Sequence, residues 1–514
     1  MIRIGVDVGG TNTDAVVMKS NDFIGGAKSP TTPDIISGVE SAIKKALAEA
    51  KTEASNIEVL IVGTTHFVNA LVQRKNLART GLIRMSLPAG GAILPFANWP
   101  PDLISAISGT YRLVKGGYEM DGSEISALNR EELTSAVDEL KRAGCNDIAV
   151  SSVFATVRGD MEEEALKIIN EYSPEIKVSL SKNIGGMGLL ERENAALINA
   201  ALKPLAVEVV NSFEKLKAKN NLNCPLFFTK NDGTLIESKE VTELPVLTFA
   251  CGPTNSMRGA AFLSKVSDAV VVDVGGTTTD VGEVQNGFPR QAGTSVTVAD
   301  IRTNFSMPDV ISIGLGGGSI VEVEKNVAVG PRSVGHELTK EAIIFGGKVL
   351  TASDAAVAAG RCKLGTEEPP IIEKINDVIG LMDQMVSDRV ARARTSGKIL
   401  PVIAVGGGSV MLPKVIDGLE VINPPHNDLA NAVGAAIAQV SGQVSKVILL
   451  DDKLDRDGAI QAVTEEANQI AIKRNAEPDS LKVHSVSDMP LSYLPGNNLL
   501  VSVTVVGDLK MEKK

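Results

Sequence analysis

Two octets hold the chemistry that stands out in this chain. Asp7-Val8-Gly9-Gly10-Thr11-Asn12-Thr13-Asp14 and Asp273-Val274-Gly275-Gly276-Thr277-Thr278-Thr279-Asp280 differ only at Asn12 against Thr278. In each, an apolar, β-branched run meets an aspartate, a Gly-Gly pair follows, and hydroxyl or amide side chains lead to a second aspartate. Such a run reads as a buried strand, and the glycines after it admit positive φ and let an anion approach without meeting a Cβ. Backbone N–H groups and threonine hydroxyls in that turn can surround a phosphate. Asp7 or Asp273, at the mouth of its strand, is tolerable beside phosphates mainly when Mg²⁺ lies between them. One copy alone would read equally well as a Gly-Gly hairpin. Two near-identical copies, too far apart for a solenoid repeat, favour two similar domains with a phosphate loop in each.

Other stretches offer edges to the same cleft. Gly63-Thr64-Thr65-His66 follows the apolar run 59–62 and opens a helix, as ligand-binding strand ends do. His66 reads either as a structural histidine or, from its place beside Thr64 and Thr65, as a functional one. Two triple-glycine strings, Gly316-Gly317-Gly318-Ser319 and Gly406-Gly407-Gly408-Ser409, each follow a buried strand. Each is a glycine hairpin or an open loop against a flat ligand; behind two phosphate loops, the later one favours adenosine. Residues 428–439 form a small-residue helix suited to a hinge between two halves. Cys251 has no basic neighbour in sequence and reads as a small buried hydrophobe.

These residues need a scaffold of several domains, since 514 residues exceed a single core. Hydrophobic content of 44%, aromatics of only 3% and 48 glycines suit a Val/Ile/Ala-rich α/β core. The expected division is a first ATPase-like part at 1–79, an inserted α/β domain at 80–185, and connecting helices returning to the first part at 186–264. A second such part spans 265–440, and a small α+β cap covers 441–514. Within the insertion the pattern predicts strand 111–114, helix 130–143, strand 148–152, helix 161–172 and strand 177–180. Helices are expected at 35–50, after punctuation from Pro30 to Pro33, and at 189–202 and 206–219. The cap should hold strand 446–450, helix 457–473 and strands 481–486 and 499–506, with a turn at Pro495-Gly496-Asn497-Asn498. The net charge of −11 argues against broad nucleic-acid binding. Four scattered cysteines show no metal spacing. No continuous apolar run reaches the roughly 18 residues of a membrane span, and the immediate strand at 2–8 leaves no signal peptide. A cytoplasmic protein with no membrane partner is the expectation.

The doubled octet, the VGGGS string and the Asn431-to-Ala436 helix resemble the superfamily of actin, the heat-shock ATPases and sugar kinases. More narrowly, the chain resembles the hydantoinase/oxoprolinase family through GTTH (63–66), LLEREN (189–194), CGPTNSMRGA (251–260), RTNFSMPDVISIGLGGGSI (302–320), VGPRSVGHEL (329–338) and LSYLPGN (491–497). The resemblance implies duplicated actin-like, ribonuclease H-like ATPase domains. It also implies an ATP- and Mg²⁺-dependent enzyme that opens the C–N bond of a lactam or cyclic imide after phosphorylating the carbonyl, or the ATP-handling subunit of a related carboxylase. Gly9, Gly10, Thr11, Asn12 and Thr13, with Gly275, Gly276, Thr277, Thr278 and Thr279, would take the ATP phosphates. Asp7 and Asp273 would reach Mg²⁺, and Gly406, Gly407, Gly408 and Ser409 would lie near adenosine. Glu191 and His66, as catalytic residues, and Arg192, Arg302, Asp309 and His336, as substrate contacts, are the candidates on the amide side. A second protein subunit or a homo-oligomer is implied. Two alternatives stay open: a small-molecule kinase releasing a stable phosphoester, and a non-enzymatic ATPase switch.

Overall fold

The computed structural model describes residues 1–510 apart from 33, 35, 294, 325, 396, 452, 453 and 493–495. Pro33, Ile35 and Pro495, named above as punctuation, helix start and turn, lie outside the described residues. Strand β1 (Ile2–Val8) turns through the first octet into β2 (Asn12–Lys19), and β3 (Asp22–Pro30) completes an antiparallel meander. Helix α1 (Ile36–Glu49) buries Val39, Ala42, Ile43 and Ala46, which recur at helical spacing. β4 (Val59–Thr64) then pairs parallel with β1, and α2 (His66–Gln73) starts from its end.

The chain next builds a separate parallel sheet. It contains β5 (Thr80–Leu87), β6 (Thr110–Lys115), α3 (Arg130–Arg142), β7 (Asp147–Ser152), α4 (Asp160–Tyr172) and β8 (Lys177–Leu180). The strand order is β6-β5-β7-β8. The Asn129 side chain caps α3 by accepting from the Glu132 N–H, with Glu131 and Glu132 in the first turn and Lys141 and Arg142 in the last. The sequence reading misses β5, the strand in the middle. Arg84 interrupts its apolar run, yet that guanidinium is buried against Glu193, with Nε 2.6 Å from Oε2.

Helix α5 (Leu189–Lys219) is continuous where two helices are expected. Pro204 removes one helical hydrogen bond, but every residue from Arg192 to Ala206 except Pro204 is buried, and packing prevails. Among the described residues α5 alone is long and apolar enough to cross a membrane, yet 67% of its apolar window is buried inside the protein, as in a core helix. β9 (Leu226–Thr229) and β10 (Leu235–Glu237) complete the first sheet, and α6 (Cys251–Ser264) leads out of it.

The second half repeats the first. β11 (Ala269–Val274), the second octet, β12 (Thr279–Gln285) and β13 (Phe288–Pro289) form the meander. The hairpin β14 (Val296–Val298) and β15 (Ile301–Thr303) follows, then β16 (Val310–Ile313), β17 (Ser319–Glu322), β18 (Ala328–Ser333) and helix α7 (Ile375–Ala393). β19 (Val402–Val405) pairs parallel with β11, and β20 (Val415–Ile416) and β21 (Leu419–Ile422) extend the sheet. One sheet runs β3-β2-β1-β4-β9-β10, the other β13-β12-β11-β19-β21-β20, with parallel and antiparallel pairs in the same places. Asp7 is the cross-strand partner of Asp14, and Asp273 of Asp280. This is the duplicated ribonuclease H-like architecture of the actin-like ATPases.

Helix α8 (Ala430–Ala436), shorter than the expected 428–439, returns from the second half to the first. It crosses α6 at reciprocal glycines: a Cβ on Gly259 would collide with the Ala430 carbonyl, and one on Gly434 with the Asn255 carbonyl. Beyond it, β22 (Val440–Leu450), α9 (Arg456–Lys473), β23 (Lys482–Pro490) and β24 (Asn497–Gly507) form a three-stranded antiparallel sheet. Val444, Val501 and Val503 of that sheet pack on Ala459, Val463 and Ala467 of α9.

Candidate active site

Asp7 ends β1 and is 4% exposed. Its Oδ1 accepts from Asn255 Nδ2 at 3.1 Å and its Oδ2 from Asn431 Nδ2 at 3.4 Å. Asp273, at the matching place on β11, accepts a hydrogen bond from the Ser256 hydroxyl. Consecutive residues of α6 therefore hold one aspartate from each half. The two loops also share a turn: the Gly9 N–H reaches the Asn12 carbonyl at 3.0 Å, and the Gly275 N–H the Thr278 carbonyl at 2.9 Å. They face each other, since a Cβ on Gly276 would lie 3.7 Å from Thr11 Oγ1.

The electrostatics follow from burying carboxylates with one cation at hand. Burial raises the Asp7 pKa to about 7 and the Asp273 pKa to about 6. The Asp14 and Asp280 pKa values are raised by the same cause. Asp7 also feels the charges of Asp14 and Asp273. Lys28, across from Asp14 on β3, offsets this with Nζ 2.9 Å from Asp14 Oδ2, and it also bonds the Asp428 carbonyl. Asp14 Oδ1 and Asn255 Oδ1 are buried without a hydrogen-bond partner. A carboxylate cluster short of positive charge, with an orphaned oxygen, fits a divalent cation. Among the described residues no three carboxylate, imidazole or thiolate groups gather around one point. A cation held here takes one or two carboxylates plus water and phosphate oxygens, the usual habit of Mg²⁺.

The structure separates the other expected residues. Gly10, Thr11, Asn12, Thr277 and Thr278 are exposed or half-exposed at the loop tips. Thr13 and Thr279 are corrections: both are buried, Thr13 Oγ1 lies 3.2 Å from Thr31 Oγ1, and Thr279 Oγ1 donates to the Leu315 carbonyl at 2.6 Å. Those hydroxyls are committed to the fold. Gly317 and Gly318 donate to the carbonyls of Gly275 and Gly276 at 3.0 and 2.7 Å, so the earlier triple glycine buttresses the turn of the second octet. In the later one, Gly406 and Gly408 are buried against neighbouring strand ends, Ser409 accepts from Asn427 Nδ2 at 3.0 Å, and Gly407 stands open.

Of the amide-side candidates, Glu191 and Arg302 meet and the others have separate partners. Arg192 is 1% exposed, and its guanidinium bonds Ser181 Oγ at 3.0 Å and the Gly186 carbonyl at 3.2 Å; it is a structural arginine, which corrects its expected substrate role. Asp309 is bonded to Arg290. Glu191 pairs with Arg302 at 3.3 Å across the two halves. His336 is exposed, 2.9 Å from Glu337, and adjoins Gly335 beside Thr277. Burial lowers the His66 pKa, opposed by the charge of Glu208. Cys251 is buried, with Sγ bridging the Thr64 N–H at 3.0 Å and the Thr64 carbonyl at 3.1 Å, and its pKa is pushed up to about 12 by burial. The sequence reading misses Asn255, Ser256, Asn431 and Lys28. Asn255, Ser256 and Asn431 lie inside the resembling strings, which give no sign of their partners, and Lys28 lies on a strand the sequence reading does not expect.

Residues 3–173 match the hydantoinase/oxoprolinase N-terminal region, and residues 192–366 match hydantoinase/oxoprolinase. The chain belongs to the hydantoinase/oxoprolinase family. It is 24% identical to the caprolactamase subunit alpha of Pseudomonas jessenii over 70% of this chain and 54% of that one. It is 28% identical to the acetophenone carboxylase gamma subunit of Aromatoleum aromaticum over 70% of this chain and 53% of that one. The chain thus spans about half the length of these two relatives. The crystal structure of the ATP-dependent caprolactamase from Pseudomonas jessenii superposes with a TM-score of 0.75 at 18% identity, covering 100% of this chain and 89% of that one, which establishes the shared fold. Both octets, Asn255 and Ser256 fall inside the matched regions of this hydantoinase/oxoprolinase chain, whereas Gly407 and Asn431 lie beyond them.

Proposed function

We propose that the chain is the ATP-handling component of an enzyme that opens the C–N bond of a lactam or cyclic imide by phosphorylating its carbonyl oxygen. The observation that carries the ATP half is the meeting of two near-identical turns, with Asp7 and Asp273 held by neighbouring residues of α6. The ring-opening half is supported by the family and by the caprolactamase relative. An amide carbon is a poor electrophile and its nitrogen a poor leaving group. Attack of the amide oxygen on the γ-phosphorus breaks the bond to the β-phosphate oxygen, releases ADP and leaves an imidate phosphate. Water adds to that carbon, the ring nitrogen takes a proton and leaves to give an acyl phosphate, and a second water hydrolyses this to the carboxylate and free phosphate. Phosphoryl transfer asks mainly for positioning and charge stabilisation. The free N–H groups of the two loops would grip the phosphates, Gly407 would leave room for adenosine, and Asp7 and Asp273 would hold Mg²⁺ directly or through water. Mg²⁺, when bound, would neutralise the charge that develops between the β- and γ-phosphates. The names of the relatives also support a second protein subunit.

The test is ATP consumption against a panel of lactams, hydantoins and 5-oxoproline, with and without the product of the neighbouring gene. Ring-opened product equal to the phosphate released is expected for one member of the panel. A stable phosphoester would instead make the chain a kinase, and ATP hydrolysis indifferent to every cyclic amide would make it a switch.

A further inference from the structure

The crossing of α6 and α8 treats the two aspartates unequally. Gly259 meets Ala430 and Gly434 meets Asn255, so Gly259 corresponds to Gly434 and Asn255 to Ala430, and Ser256 and Asn431 occupy equivalent places on the two helices. Ser256 on α6 bonds Asp273, and Asn431 on α8 bonds Asp7, as the repeat requires. Asn255 breaks the symmetry: it also bonds Asp7, whereas its counterpart Ala430 has no side-chain donor. α6 alone therefore reaches both halves. Asn255 and Ser256 are both 0% exposed. The Asn255 side-chain amide spends its hydrogens on Asp7 Oδ1 and Thr229 Oγ1, each at 3.1 Å, which fixes its orientation, and Gly434 lets α8 approach the Asn255 backbone carbonyl. Their Cα atoms are tied about 3.8 Å apart by the peptide between them, so a rotation of the halves about the hinge cannot keep both bonds.

We propose that Asn255 and Ser256 are positioning residues that fix the gap between Asp7 and Asp273, and with it the place of the divalent cation in the cleft; this rests on the ATP reading above. A fork of adjacent donors orients both carboxylates towards one point only while the halves are closed. Mg²⁺ affinity is thereby tied to closure, with no added metal ligand. A role in packing alone would affect nucleotide binding equally with and without metal. The fork makes a different demand: its loss spares metal-free binding and weakens the gain that Mg²⁺ brings.

The experiment is calorimetric titration with a non-hydrolysable ATP analogue, with Mg²⁺ and with EDTA, on the full chain and on Ser256→Ala, Asn255→Ala and Asp273→Asn. Thermal melts identify any variant that fails to fold; Ser256→Ala, which removes one atom, decides the matter if Asn255→Ala does not fold. The expected result is metal-free affinity close to that of the unaltered protein and a Mg²⁺-dependent gain reduced about tenfold in each fork variant, the scale of a hydrogen bond to a charged group. Asp273→Asn should lose the gain entirely. If Ser256→Ala keeps the full gain while Asp273→Asn loses it, the fork is overturned and the ATP reading stands. Equal losses with and without metal overturn the fork in favour of packing. No binding by the unaltered chain overturns the ATP reading itself.

Discussion

The two halves carry nearly the same octet on the same sheet, yet they surround it differently. In both, a glycine of the neighbouring parallel segment leaves room for the aspartate: Gly63, opposite Asp7, would put a Cβ 2.6 Å from Asp7 Oδ1, and Gly406, one residue past Val405 opposite Asp273, would put one against Asp273 Oδ1. Beyond that shared glycine the halves part. The first continues with Thr64, Thr65 and His66, side chains with polar tips; the second continues with Gly407 and Gly408. Asp7 is held by two amides and Asp273 by one hydroxyl, while Asp14 has Lys28 and Asp280 has Ser312. The repeat supplies two matching turns. The departures from it leave Gly407 open in the second half and furnish the first with polar side chains.

The largest effect should come from the feature both halves share. Asp273→Asn and Asp7→Asn should each lower Mg-ATP turnover on the order of a hundredfold or more, as losing a preorganised charge contact does, with circular dichroism unchanged. Turnover near that of the unaltered protein in either variant would remove that aspartate from the mechanism. Next comes the face between the loops. Gly276→Val grows towards Thr11 and should weaken nucleotide binding on the order of a hundredfold, while Gly10→Ala, with nothing within 4 Å of the new Cβ, should change it only about twofold, within the usual range of an unhindered surface substitution. Equal calorimetric affinities for the two variants would mean that the loops do not grip one ligand. Lys28→Met should lower turnover about tenfold, by the strength of a charge-assisted contact, and should act without a counterpart in the second half. No loss there would make Lys28 a tie between β3 and Asp428 only.

The smallest effect is on stability against pH. Burial raises the Asp7 pKa from 3.8 to about 7 and the Asp273 pKa from 3.8 to about 6. Between about pH 4 and 7 the native state therefore binds more protons than the unfolded chain, so these groups make stability fall as pH rises through that window. Nucleotide-free protein should melt lower at pH 8 than at pH 5 on their account, and Asp7→Asn should flatten the slope. A slope unchanged in Asp7→Asn would assign the pH dependence to other groups.

What could be read from sequence is what depends on local pattern. The octets announce themselves because strand, glycine turn and aspartate lie within eight residues and recur. The crossing residues do not: Asn255, Ser256 and Asn431 are single polar side chains in small-residue helices, and their meaning arises only where distant segments cross. Arg84 hid β5, because a buried arginine paired with Glu193 looks in sequence like a break in an apolar run. Pro204 hid the continuity of α5, since propensity says stop where burial carries the helix on. Arg192 misled in the other direction: beside Glu191 in a resembling string it reads as a substrate contact, and only its bonds to Ser181 and Gly186 show it holding the fold.

On the proposed reading, one nucleotide is gripped from both halves around one cation. A crystal structure with a non-hydrolysable ATP analogue and Mn²⁺ tests it most directly, with the metal located by its anomalous scattering. The expected result is a single Mn²⁺ peak bound directly or through one water by both Asp7 and Asp273, with phosphates touched by N–H groups of both loops. Phosphates on one loop alone, or a metal bound by one aspartate with the other turned away in a closed cleft, would contradict it.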